Sequence, residues 1–349
     1  MTRSRWPKFP SFEGRFVPIR ALNARGLESM IESMPGAARM LSSRRARLGF
    51  NVASVTLASG LGYLAVRHFA STGWPLAGAD LPLVAAAGVL FLAAYAFKAF
   101  GWHRLFAPEE RPQALALAAA GGAASVTGAA LPGRFDDVVR IAVVRRFPGC
   151  HSCIGTLCLS LFLLGLLDAA AMTPLASAAA LTQSSIAVRA GLALVAAAGV
   201  AAGGLVLALP RLTSSSLVRF RIARWLGERT TPTHEAWKAL AFILVSWLIR
   251  AVAVLLLLGA LGVTLSFPIA LAFLVAGAAS GALPVAPAGA ATQAGAGAAI
   301  LIASGVSTSQ ALAFALAAQA MLILAGAAVV LFAAAWHGGQ RLALARTTV

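Results

Sequence analysis

The chain is short of charge, and above all of negative charge. Only 11% of its 349 residues are charged, with 11 Asp and Glu against 28 Lys and Arg, a formal net charge of +17. An ordinary soluble domain carries roughly 25% charged residues, so that class is excluded. Cysteine is scarce too, with three residues, Cys150, Cys153 and Cys158. Cys150-His151-Ser152-Cys153 has CxxC spacing, but no second Cys/His pair completes a zinc site. Small, reduced thiols packed between helices are the expectation, and no metal or other cofactor is expected. No DxxD or HxxxH cluster and no nucleophile–base spacing stands out either. The chain is therefore not expected to be an enzyme. An intramembrane lipid transferase, with Asp136, Asp137 or Asp168 as its base, is the weakest of the readings.

What the chain has is hydrophobic length, 60% of its residues being apolar. Runs near 51–69, 81–100, 154–181, 187–209, 236–262 and 311–333 each approach the ~20 residues that cross a ~30 Å hydrocarbon core. Two more apolar stretches, about 113–131 and 267–303, are interrupted by Gly and Pro. The expected fold is all-α, a polytopic membrane bundle of about six to eight transmembrane helices with two re-entrant segments in an inverted repeat. A basic cytoplasmic tail (1–48) precedes the membrane domain (49–335), and a short cytoplasmic tail (336–349) follows it. About 50 mostly polar residues precede the first apolar run, which is not the order of a signal peptide.

The placement of the positive charge argues against nucleic acid as a partner. With the N-terminus inside, Arg67 and Arg189 fall outside, Arg250 lies within a span, and the other Lys and Arg, Lys98 among them, face the cytoplasm. That is the positive-inside rule at work, and no basic module interleaved with aromatics accompanies the charge. The expected location is the plasma membrane, multi-pass, with both termini cytoplasmic and the basic tail drawn to anionic headgroups.

A short pattern occurs twice. Gly122-Ala-Ala-Ser125 leads to Leu131-Pro132, and Gly277-Ala-Ala-Ser280 leads to Leu283-Pro284. Interrupted hydrophobic segments at matching places in two halves point to a transporter-like site. Small residues also let helices approach closely in lipid, which explains the pattern without any site. The charge rule bears on the first copy. Were 113–131 to cross fully, Arg134, Arg140, Arg145 and Arg146 would lie outside, so a re-entrant hairpin is expected. For 267–303 charge does not choose between one hairpin and two spans.

Ionisable groups within spans are costly and usually face a cavity or a partner. Asp168 and Arg250 sit near the middle of their spans, opposite in sign. They form either a structural pair or the lining of a route for a headgroup or proton. Pro132-Gly-Arg134-Phe-Asp136-Asp137-Val-Val-Arg140 offers a second group. Helical spacing lets Asp137 reach Arg140, and guanidinium suits a phosphate. A snorkelling interfacial helix with local ion pairs would look the same.

This segment resembles the Pro-x-Arg-x-Gly-Glu/Asp-x-x-Arg signature of the lysylphosphatidylglycerol synthase transmembrane domain family, which is flippase-like. Pro132, Arg134, Asp137 and Arg140 match, while Asp136 stands in place of Gly. Asp168 matches the Asp of a following Glu-Arg-x-x-Asp, with Leu164 and Gly165 in place of Glu and Arg. A second signature, Pro-Gly-Gly-x-Gly-x-x-Glu, is matched at Pro287 and Gly289, with a Gly305-Val306 turn after it. Ala288, Ala291 and Ala294 replace Gly, Gly and Glu, and Gln319 stands near an expected Arg. The resemblance spans about 45–335 and implies a divergent stand-alone member without the synthases' aminoacyltransferase domain.

It implies binding, and movement between leaflets, of a phospholipid or lipid-linked headgroup, the partners being anionic or phosphate-bearing membrane lipids. The resemblance makes Arg134, Asp137, Arg140 and Asp168 binding residues, with Thr292, Gln293 and Gln319 as neutral substitutes in the second half; Arg250, as a charge within a span, and Ser125, from the repeated pattern, are expected to join them. The alternative is a non-transporting accessory or scaffold protein for enzymes of cell-envelope lipid or glycolipid synthesis.

Overall fold

In the computed structural model the described residues are 67, 78–130, 135–147, 152–213, 232–263, 265–282 and 289–347. Among them the chain is all helix. In chain order the helices are α1 (Leu81–His103), α2 (Ala114–Ala130), α3 (Phe135–Arg146), α4 (Ile154–Thr182), α5 (Ile186–Thr213), α6 (Thr233–Ala260), α7 (Phe267–Ala282), α8 (Gly289–Ala303) and α9 (Thr308–Thr347). Asp80 starts α1 by accepting the Leu83 amide at 3.3 Å, with Pro82 in the first turn where its missing N–H costs nothing. The Cys153 sulfur serves α4 in the same way, accepting the Thr156 amide at 3.4 Å. Cys150 and His151, the other half of the CxxC segment, lie outside the described residues.

Among the described residues, five helices are long and apolar enough to cross a membrane: α1, α4, Ile186–Leu209 of α5, α6, and Thr308–His337 of α9. The expected span 51–69 lies outside the described residues apart from Arg67. The stretch 113–131 is a single short helix, α2, and the partner packed on it, α3, lies beyond the expected bounds; 267–303 is a pair of short helices, α7 on α8. The four helices hold 17, 12, 16 and 15 residues. At 1.5 Å per residue none reaches across ~30 Å. Large apolar side chains such as Val89, Phe162, Leu194 and Leu331 point outward, as lipid-facing residues do.

The repeat extends well beyond the small-residue pattern. Gly122 and Gly277 are 155 residues apart, and the same shift carries the starts of α1, α2, α3 and α4 to within three residues of the starts of α6, α7, α8 and α9. Packing follows the same exchange. As α1 packs on α2 and α4 on α7, so α6 packs on α7 and α9 on α2; α4 packs on α6, and α9 on α1. The two central helices, α1 and α6, make the most extensive pair and run antiparallel. The Asp80 amide at the start of α1 donates to the Ala260 carbonyl at the end of α6, at 3.0 Å. At the opposite end Arg104 and Arg111 lie 3.4 and 3.3 Å from Glu235. Equivalent helices pointing in opposite directions are the signature of an inverted duplication.

Candidate functional site

The middle of the α1/α6 pair is where polar chemistry collects. Lys98 Nζ on α1 donates to Asp168 Oδ2 on α4 at 2.7 Å, and Trp247 Nε1 on α6 donates to Asp168 Oδ1 at 2.9 Å. Both carboxylate oxygens of Asp168 are thus occupied, and neither by Arg250. This corrects the expected opposite-sign pair. It also moves Lys98 from the cytoplasmic face into the bundle, where it is the counterion of Asp168. One turn along α6 from Trp247, Arg250 lies 4.9 Å above the Trp247 ring and 5.5 Å from the ring of Tyr95. Its charge is met by aromatic faces. No carboxylate lies within ion-pair distance of it among the described residues, and its buried Nε has no acceptor.

Tyr95 connects this group to the repeated segment. Its hydroxyl lies 2.6 Å from Ser125 Oγ on α2 and 3.2 Å from the Leu322 carbonyl on α9. A phenol has one proton to give, and Ser125, which itself donates to the Gly121 carbonyl at 3.2 Å, is the nearer acceptor. The 155-residue shift that relates the halves carries position 95 onto position 250. Tyr95 and Arg250 are repeat equivalents that touch across the α1/α6 seam.

On α3 the spacing argument holds: Arg140 donates to Asp137 at 2.7 Å. A second carboxylate, Asp136, lies 3.3 Å from Arg140. The guanidinium is held by two acidic groups one turn behind it, so it is less open to a ligand than the sequence suggests. Arg134, the other half of the expected arginine pair, lies outside the described residues.

In the second half Gln319 Nε2 donates to Gln293 Oε1 at 3.3 Å. The Gln293 side chain lies over Gly281, where a methyl group would come 2.5 Å from Gln293 Nε2. One hydrogen bond ties these two amides, and Gln293 covers the second small-residue segment at Gly281. Thr292 precedes Gln293 on α8, at the position the 155-residue shift pairs with Asp137.

Three contributors escaped the sequence reading: Tyr95, Lys98 and Trp247. A signal existed for each. Tyr95 is one of two tyrosines in the chain and shares a helical face with Lys98. Trp247 sits one turn from Arg250, the spacing at which a ring can cover a guanidinium.

The arrangement sets a neutralised Lys–Asp unit beside a half-buried guanidinium with a shielded Nε and no anion among the described residues, a setting for a phosphate or another oxyanion. No curated protein and no solved structure matches the chain. The family model for the lysylphosphatidylglycerol synthase TM region matches residues 51–330, most of the chain. The chain is a multi-pass membrane protein that belongs to the lysylphosphatidylglycerol synthase transmembrane family.

Proposed function

We propose that the protein binds a phosphate-bearing lipid or lipid-linked headgroup and moves it between the leaflets of the plasma membrane, with both termini in the cytoplasm. The observation that carries this reading is Arg250. A half-buried guanidinium whose shielded Nε has no acceptor is costly to keep without a ligand, and a headgroup oxyanion supplies the missing acceptor. The two short helix pairs then act as re-entrant elements entering from opposite faces, each too short to span. Inversion of the repeat supports that geometry, since equivalent hairpins of antiparallel halves open to opposite sides.

The test is leaflet exchange in proteoliposomes loaded with fluorescent phosphatidylglycerol or a polyprenyl phosphate. Wild type is expected to speed exchange, and Arg250→Gln to abolish it while Arg250→Lys retains part. No protein-dependent transfer for any anionic or polyprenyl lipid would falsify the reading.

One observation favours a second reading, a non-transporting scaffold for envelope lipid enzymes. Gln293 and Gln319, hydrogen-bonded to one another, put neutral amides near the places where the second signature carries Glu and Arg. Loss of cellular function in Arg134→Ala or Arg250→Gln at unchanged membrane abundance would argue against a scaffold, which needs the fold and not those charges.

A further inference from the structure

Away from the central group, a cavity of about 220 Å³ opens between α2, α3 and α9. Its walls are apolar, with Val143 and Phe147 at the end of α3 and Val330 and Ala334 on α9. Two polar groups interrupt them. Arg146, the last residue of α3, makes no ion pair among the described residues. His337 stands edge-on to the Phe147 ring, with centroids 4.5 Å apart, and its buried Nε2 has no hydrogen-bond partner. A buried imidazole nitrogen with nothing to bond is expensive, and such groups in native proteins call for a missing ligand or water.

The level of the cavity along the bundle narrows the ligand. After the apolar run to Trp336 the sequence of α9 turns polar, through His337-Gly-Gly-Gln340-Arg341. Phe332 and Trp336, stacked and exposed just before His337, are placed as aromatic residues are at a membrane interface. Arg145 and Arg146 close α3 at that end. The cavity thus straddles the boundary between hydrocarbon and headgroups. It is also smaller than the ~300–1,000 Å³ pockets that enclose a drug-sized molecule whole. It suits part of a ligand whose remainder lies in the bilayer.

We infer that this cavity is a binding site for an anionic phospholipid, the phosphate held by Arg146 and His337 and the first chain methylenes packed on Val143, Phe147 and Val330. The guanidinium supplies paired N–H donors, and His337 supplies one from Nε2 when that nitrogen carries the proton. The site is separate from Arg250 and does not depend on the headgroup being moved afterwards. The α2–α9 crossing at Gly122 and Gly326, one turn from Ala119 and Val330, stands between the two sites.

The experiment is native mass spectrometry of the detergent-solubilised full chain, titrated with dioleoylphosphatidylglycerol or dioleoylphosphatidylcholine. It is run in an Arg250→Gln background so that the central group does not contribute. We expect roughly ten-fold preference for phosphatidylglycerol, lost in Arg146→Gln and in His337→Phe. Ala334 is exposed, so Ala334→Trp fills the mouth without disturbing the core and decides the matter if a polar variant does not fold. Unchanged preference in the folded variants overturns the site. So does equal binding of soluble glycerol 3-phosphate, which would make it an ordinary anion site.

Discussion

A guanidinium between two aromatic rings, with no acceptor at Nε, holds its charge at a desolvation cost that Tyr95 and Trp247 only partly offset. Asp168 differs in kind, because both its oxygens are engaged and its charge is met by Lys98. Removing one partner of such a pair is worse than removing both, since the survivor keeps its cost. We therefore expect Asp168→Asn to destabilise the protein by on the order of 1–3 kcal/mol. Asp168→Leu combined with Lys98→Met should recover much of that loss. Denaturant unfolding in mixed micelles across the double-mutant cycle measures the coupling. If the double variant is no better than Asp168→Asn, the ion pair is not what Asp168 contributes.

The site was half legible from sequence at this scale. A carboxylate and a guanidinium in apolar runs advertise themselves by their cost. Which cation meets which anion depends on helix rotation and neighbour choice, and a single uniform apolar alphabet encodes neither. Lys98 was misplaced because it lies near the end of its run, where a snorkelling lysine and a buried one read alike.

At the scale of the element, the two copies of the Gly-Ala-Ala-Ser segment turn out to do different work. A methyl group on Gly122 would meet the carbonyl of Gly326, and one on Gly326 would come within 2.8 Å of the Gly122 carbonyl. The backbones of α2 and α9 touch there, and neither can yield as a flexible side chain would. Gly277 has room, its nearest would-be neighbour being the Gln293 carbonyl at 3.6 Å. Gly122→Ala and Gly326→Ala should therefore each cost about 1–3 kcal/mol. Gly277→Ala should be neutral or gain up to about 1 kcal/mol from helix propensity. Thermal unfolding of the three variants in one detergent checks the ordering, and a Gly277→Ala penalty equal to the others would refute it. The sequence showed the pattern twice but not the difference, because close approach is a property of the partner helix. Gly326 carries no mark that ties it to Gly122.

At the scale of the whole molecule, the runs 81–100, 154–181, 187–209 and 236–262 were legible and emerge as helices within a few residues of their expected ends. The helix of 311–333 runs on to Thr347, and 51–69 lies outside the described residues apart from Arg67. Insertion of such runs depends on hydrophobic length alone. The repeat was legible only as a fragment. What extends it to four helices is the constancy of the 155-residue shift and the matching order of packing, neither of which leaves sequence identity behind. An inverted arrangement places the end of α1 and the end of α6 on opposite sides of the membrane. We expect a membrane-impermeant maleimide applied to intact cells to label Leu265→Cys and not Ala107→Cys, both exposed positions, with Cys150, Cys153 and Cys158 replaced by Ser. Labelling of both from outside would mean that the halves are parallel.

The constant shift also has a consequence for how the chain can be divided. Residues 81–182 and 233–337 are each a helix, a short helix pair and a helix, and α5 with the segment after it is the tether between them. Membrane helices insert as separate units before they associate, so two polypeptides cut between Thr213 and Thr233 retain every element that docks. The α1–α6 face, with Asp80 bonded to Ala260 at one end and Glu235 clasped by Arg104 and Arg111 at the other, then acts as an intermolecular interface. Such a molecule should assemble from two independently expressed genes, as a heterodimer of unequal siblings.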